Sequence, residues 1–198
     1  MQDWEMGGEH TSDEQLRAVT IGEPEVLSGP VELVEYDQAW PSVFEHEATK
    51  IAAAHDERAL QLEHVGSTSI PELVAKPRID IVLAVADSAD EPSYVPALES
   101  ASYMLRIREP KWFEHRLLRG SEPAVNLHVF SVGCPEIERL VAFRDRLRTN
   151  EADRNLYARH KQGLARRDWK YVQNYADAKT AIVEEILTRA RPALGASR

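Results

Sequence analysis

The chain of 198 residues predicts an α+β fold, a mixed β-sheet flanked by helices with a helical C-terminal part. Three observations lead there. Short apolar runs of strand character alternate with helical stretches as far as residue 131, and from Pro135 onward apolar residues recur at helical spacing; no internal repeat or low-complexity tract interrupts the pattern. With 43% hydrophobic residues the chain has enough apolar surface for one core. One domain is therefore expected over 31–192, preceded by an acidic arm over 1–30 and followed by a flexible tail over 193–198.

The arm carries Gly7, Gly8, Pro24 and the Gly29-Pro30 break, which favour partial disorder or one short helix. Ser12 with Gln15 three residues later forms a capping-box pattern leading into Leu16, Ala18 and Val19. Residues 31–36 alternate as a strand, and 37–41 read as a turn with proline near a helix start. A helix over 41–55 places Val43, Phe44, Ala48, Ile51 and Ala52 on one face. Residues 60–65 predict a strand running into the small-residue turn Gly66-Ser67-Thr68-Ser69, and 69–75 a helical turn or irregular link. Strands are predicted at 78–85, 103–108, 112–118 and 125–131, with a helix at 93–100. Three C-terminal helices follow, on Ile137, Leu140, Val141 and Phe143, on Leu156, Tyr157 and Leu164, and on 175–190.

Charge and composition exclude several function classes. A formal charge of −9 has the wrong sign for general binding to nucleic acid or anionic membranes. No run approaches the roughly 18 apolar residues of a membrane span, and residues 1–20 lack the basic and apolar regions of a signal peptide, so a cytoplasmic location without membrane contact is expected. The single cysteine, Cys134, excludes an internal disulfide and reads as a spectator thiol.

The stretch from Glu63 to Val85 carries the chemistry. Gly66, Ser67, Thr68 and Ser69 offer backbone N–H groups and hydroxyls to a phosphate. Asp80 stands inside Ile79, Ile81, Val82, Leu83 and Val85, where an unpaired carboxylate is costly to bury, so a partner or a function is expected for it. His128 alternates with Leu127 and Val129 and faces away from them. Between 105 and 120 the acidic chain becomes basic, with Arg106, Arg108, Lys111, His115, Arg116 and Arg119. On a strand over 112–118, His115 and Arg116 point to opposite faces, and Arg116 is expected to face the cleft as a bidentate anion contact. Trp112 and Phe113 are expected as core or edge aromatics. Tyr157 with Lys161, and Tyr175 with Lys179, each share a helix face, and packed tyrosines with snorkelling lysines are expected.

The run Glu63-His64-Val65-Gly66-Ser67-Thr68-Ser69-Ile70-Pro71, then Ala75-Lys76-Pro77-Arg78-Ile79-Asp80-Ile81, and later Asn126-Leu127-His128-Val129-Phe130, resembles the signature of the GrpB family. Supporting matches are Tyr36-Asp37 with Trp40, Phe143-Arg144-Asp145 with Leu147-Arg148, Tyr157 with Lys161, and Tyr175 with Lys179. The resemblance covers 31–190. It implies a nucleotidyltransferase-like sheet in which Gly66 and Ser67 stand where that superfamily holds phosphate and Asp80 matches the second acid of its metal-binding pair. Arg78 replaces the first acid, and His128 stands where the third falls.

Asp80 and His128 are accordingly the implied catalytic residues, and His64, Gly66, Ser67, Thr68, Ser69, Lys76, Arg78 and Arg116 the implied phosphate and ligand contacts. Two readings stand side by side: one divalent ion (Mg, Mn or Zn) held by Asp80 and His128, or a metal-free site in which Arg78 supplies the positive charge. The implied function is binding of a nucleotide or other phosphorylated small molecule, with nucleotidyl or phosphoryl transfer. The alternative is an inactive binding or folding-accessory module related to the domain fused to dephospho-coenzyme A kinase. The chain has no G-x-x-x-x-G-K-[ST] phosphate loop, so it carries no such kinase domain itself.

Overall fold

The computed structural model describes residues 11–54 and 61–190. Its centre is a five-stranded sheet in the order β1-β2-β5-β4-β3. The strands are β1 (Gln61–Val65), β2 (Ile79–Val85), β3 (Met104–Glu109), β4 (His115–Gly120) and β5 (Val125–Ser131). β2 and β5 run parallel and the other pairings are antiparallel, so the sheet is mixed, as the pattern predicts. Around it lie α1 (Asp13–Val19), α2 (Trp40–Ala54), α3 (Val95–Ser100), α4 (Pro135–Thr149), α5 (Glu151–Ala165), α6 (Val172–Asp177) and α7 (Thr180–Ala190).

The near-continuous apolar run of β2 follows from burial on both faces. Ile79, Ile81, Leu83 and Val85 pack with Trp40 and Ile51 of α2 and Val95 and Leu98 of α3. Val82 and Ala84 point the other way, onto Phe130 and onto Cys134 and Ile137 at the start of α4. A third cluster joins α4, α5 and α7 through Leu147, Tyr157, Ile182 and Ile186. Helix starts follow the residues that favour them: Pro135 opens α4, and the Ser12–Gln15 capping box opens α1.

Three expectations are corrected. Residues 31–36 make no strand. Val34 exchanges two backbone bonds with Ala75 and Val31 donates to the Ala165 carbonyl, so the segment is held by a link and a helix end rather than by the sheet. β4 begins at His115, because Phe113 and Glu114 adopt φ of 53° and 51° and turn the hairpin. The helix expected over 175–190 is broken into α6 and α7 around Ala178 and Lys179, which lets Tyr175 join one cluster while Ile182 and Ile186 join another.

Within the expected acidic arm one short helix forms, α1, and the segment 11–30 is tied to the domain. Leu16 is buried, Ile21 N–H donates to the Arg106 carbonyl at 2.8 Å, and Val172 N–H donates to the Glu25 carbonyl at 3.0 Å. The expected disorder within 1–10 and the tail over 193–198 lie outside the described residues. No helix among the described residues is long and apolar enough to cross a membrane.

One polar pair is set deep in the core. Glu47 of α2 is 1% exposed and accepts a short hydrogen bond from the Tyr103 hydroxyl, with Lys50 beside it at 3.1 Å. Tyr103→Phe is expected to cost about 2 kcal/mol, since it leaves a buried carboxylate short of a donor. Urea unfolding of the two proteins checks this; a difference below about 0.5 kcal/mol would show that the pair is not coupled.

Candidate functional site

Register decides which of the signalled side chains meet. Val65, Asp80, Asn126 and Arg119 stand opposite one another across β1, β2, β5 and β4, and Val82, His128 and Leu117 form the next row on the same face. His64 pairs with Ile81, and Arg116 with Val129, so both belong to the other face. The sheet therefore separates His64 and Arg116 from Asp80 and His128.

Arg116, expected at the cleft, is 6% exposed and held by Glu91 at 2.6 Å and Glu114 at 3.3 Å. His115 takes its place beside His128. His64 stacks on Phe44 with ring centroids 4.7 Å apart, and its Nε2 lies 3.1 Å from the Thr68 hydroxyl. Thr68 donates to the Arg78 carbonyl, so His64 Nε2 is the donor to Thr68. Burial holds this imidazole down to about 4. The Ser69 hydroxyl donates to the Gly66 carbonyl at 2.6 Å and its own carbonyl accepts from Arg148. Thr68 and Ser69 thus shape the turn, and Gly66 and Ser67 are the turn residues that meet Asp80 and its neighbours.

Gly66 is required by geometry. Its φ is +68° with ψ −173°, and a Cβ there would stand 2.8 Å from Asp80 Cγ and 2.9 Å from Asp80 Cβ. The turn is therefore laid directly against the acid. Asp80 Oδ1 accepts from Asn126 Nδ2 at 2.8 Å and lies 3.9 Å from His128 Nε2. Burial pushes this carboxyl up, but His128, Asn126 and Lys179 outweigh it and hold the group below its ordinary value.

The cations around Asp80 come from three parts of the chain. Lys161 of α5, 2% exposed, donates to the Ser67 hydroxyl at 2.8 Å and the Val74 carbonyl at 2.6 Å. Burial, reinforced by Lys179, holds its amine far below the usual lysine range. Lys179 sits over the Tyr175 ring at 4.6 Å, and burial draws its amine down to about 8 against the pull of Asp80. Lys76 is lowered by burial and by Arg78, with Glu25 and Asp80 opposing. Arg78 donates to Glu25 at 3.3 Å and to Asn126 Oδ1 at 3.4 Å, and Glu25 also pairs with Arg119. The Tyr175 hydroxyl is buried without a hydrogen-bond partner, and burial raises it to about 12.

Lys76, Arg78, Arg119, Lys161 and Lys179 thus gather around Asp80 and Glu25, with Asp177 acting on Lys179. Sequence reasoning names Lys76 and Arg78 as contacts and Arg119 as part of the basic stretch over 105–120, and does not count Lys161 and Lys179 among the contacts. Lys161 and Lys179 look like snorkelling lysines in the sequence; Asn126 shares the two-residue period of His128, the signal that marks it.

The donor set does not suit a resident divalent ion. Among the described residues no three His, Cys, Asp or Glu side chains are placed to hold a metal ion together, Asp80 and His128 are two donors, and Asn126 turns its amide nitrogen toward Asp80.

The comparisons with known proteins agree with the sequence resemblance. The family model described as GrpB protein matches residues 30–189. A UPF0157 protein of Halalkalibacterium halodurans is 55% identical over 179 residues, 90% of this chain and 92% of the relative. The crystal structure of conserved protein GrpB from Enterococcus faecalis matches with a TM-score of 0.70 at 31% identity, over 80% of this chain and 96% of that one. A dephospho-CoA kinase of Mycolicibacterium paratuberculosis is 34% identical over 82 residues, which is 40% of this chain and 20% of the kinase.

Proposed function

The chain belongs to the GrpB family, and from that premise we propose that it binds a phosphorylated small molecule, nucleotides included, against Gly66, Ser67, Asp80 and His128, and transfers a nucleotidyl or phosphoryl group from it. One observation carries the reading: five cations, among them the buried Lys161 and the half-buried Lys179, gather about the Gly66 turn against Asp80, Glu25 and Asp177 in a protein of net charge −9. Such a surplus calls for an anion, and phosphate oxygens supply the charge and the acceptors.

In the reaction, Lys161, Lys179, Lys76 and Arg78 offset the phosphate charge. An acceptor hydroxyl oxygen attacks phosphorus while its proton passes to His128 Nε2. The new O–P bond forms as the bond to the leaving phosphate breaks, and the leaving group departs with the electron pair.

A thermal-shift screen of nucleotides and phosphorylated metabolites, with and without divalent ions, tests the binding. A ligand at 100 times its Kd is expected to stabilise the chain by about 2.7 kcal/mol. Turnover of labelled substrate, lost in Asp80→Asn and His128→Asn, tests the transfer. No stabilisation by any phosphorylated compound removes the whole reading. Stabilisation without turnover favours a second one, a binding or accessory module, whose support is the segment shared with the dephospho-CoA kinase.

A further inference from the structure

Behind His128 the structure continues a row of groups that the proposed reaction does not name. Glu109, at the end of β3, pairs directly with His115, at the start of β4. Glu109 Oε2 lies 2.7 Å from His115 Nδ1, and His115 Nε2 lies 3.1 Å from His128 Nδ1. The two imidazoles are stacked, with centroids 5.2 Å apart and planes inclined by 22°. His115 is 3% exposed, walled by Phe130 and by the edge of Trp112. Glu136, at the start of α4, also interacts with His128.

Hydrogen-bond directionality leaves one arrangement of protons. An ionised carboxylate only accepts, so His115 Nδ1 carries hydrogen. Burial holds the His115 ring down to about 4, so near neutrality it carries a single proton and its Nε2 is a bare acceptor. The donor facing that acceptor is His128 Nδ1, which must then be the protonated nitrogen. A neutral His128 consequently presents a bare Nε2 on the side of Asp80.

We propose that Glu109 and His115 are positioning residues that fix the tautomer of His128, so that its Nε2 accepts a proton from a substrate hydroxyl brought beside Asp80. The Nε2 to Asp80 Oδ1 separation of 3.9 Å exceeds a hydrogen bond and leaves room for that hydroxyl to approach. When the hydroxyl proton moves to Nε2, the ring becomes an imidazolium whose Nδ1–H still donates to His115 and whose Nε2–H faces the Asp80 charge. The buried rings of Phe130 and His115 form the dry side of the stack, with the partly exposed Trp112 at its edge, which limits the access of water to the Nδ1 contact.

The inference rests on the transfer reading for the role of His128, but the ring protons are observable without any ligand. In the full chain, nitrogen-15 long-range correlation spectra at pH 8 are expected to show His115 and His128 each protonated at Nδ1. An unprotonated Nδ1 on His128 overturns the proposal. In His115→Phe, which keeps a ring against Phe130, the His128 proton is expected to move to Nε2, changing the tautomer ratio by about tenfold or more, the equivalent of roughly one ordinary hydrogen bond; an unchanged ratio overturns it. Glu109→Leu, at a half-exposed position, frees His115 to invert and is expected to shift both rings in the same sense, and two unshifted rings remove Glu109 from the row. These readouts separate the two ideas: an absent ligand shift with the tautomers as described defeats the transfer reading alone, and inverted tautomers with an intact ligand shift defeat this one alone.

Discussion

Replacing Gly66 with alanine is expected to destabilise the chain by about 4 kcal/mol, the sum of roughly 1–3 kcal/mol for a strained backbone and roughly 1–3 kcal/mol for overpacking. The backbone at φ +68° and ψ −173° belongs to a region that side-chain-bearing residues rarely occupy, and the added methyl would stand 2.8 Å from Asp80 Cγ. Neither problem is relieved by rotating a flexible group, because Asp80 is fixed by Asn126 and by its place on a central strand. The unfolding midpoint in urea, converted with the measured slope, gives the value. A loss below about 1 kcal/mol would mean that the turn can move off the acid, and the tight apposition of turn and strand would have to be abandoned.

Lys179→Met is expected to weaken phosphate-ligand binding by about 10- to 100-fold, the value of one charge-assisted contact, while leaving the ligand-free chain at least as stable near pH 7. The reason is the sign of the lysine's displacement. Its amine is drawn down to about 8 from 10.5, so the unfolded chain holds that proton more firmly than the folded one. The resulting penalty is fully present below about pH 8 and disappears as the pH rises to 10.5. Relative to Lys179→Met, the parent should therefore gain stability across that window. Ligand affinity should run the other way, falling above about pH 8 as the ammonium is lost, whereas Lys179→Arg should keep its affinity to higher pH. Calorimetric titrations with a nucleoside triphosphate at pH 7 and pH 9 distinguish these outcomes; equal affinities for parent and Lys179→Met at pH 7 would remove this lysine from the site.

Much of the sheet was legible because β2 is a short apolar run and β5 alternates Val125, Leu127 and Val129 with Asn126 and His128, a period fixed by the pleat. The Gly66 turn and Asp80 were legible as a local conflict, an acid in a run that otherwise avoids charge. The sequence places Arg116 at the cleft because alternation tells which residues oppose each other and not which face is which. Settling that needs the pairing of β4 with β5, a relation between chain segments that no window of sequence contains. Lys161 and Lys179 were hidden for a related reason. On their own helices they look like ordinary lysines beside tyrosines, and they become unusual only because α5 and the α6–α7 break carry them to the Gly66 turn. Within 11–30 the short helix was legible from its capping box, whereas the match of Glu25 with Arg78 and Arg119 was not, because it joins distant parts of the chain.

The parallel pairing of β2 with β5 has a kinetic side. Asp80 and Asn126 touch across 46 residues, Ser67 and Lys161 across 94, and each contact closes a large loop before any energy is returned. No hairpin or single helix holds a rudimentary version of the site. In a refolding experiment the pocket should consequently emerge with the last cooperative step rather than with early collapse, so that a bound phosphate would report on finished molecules alone.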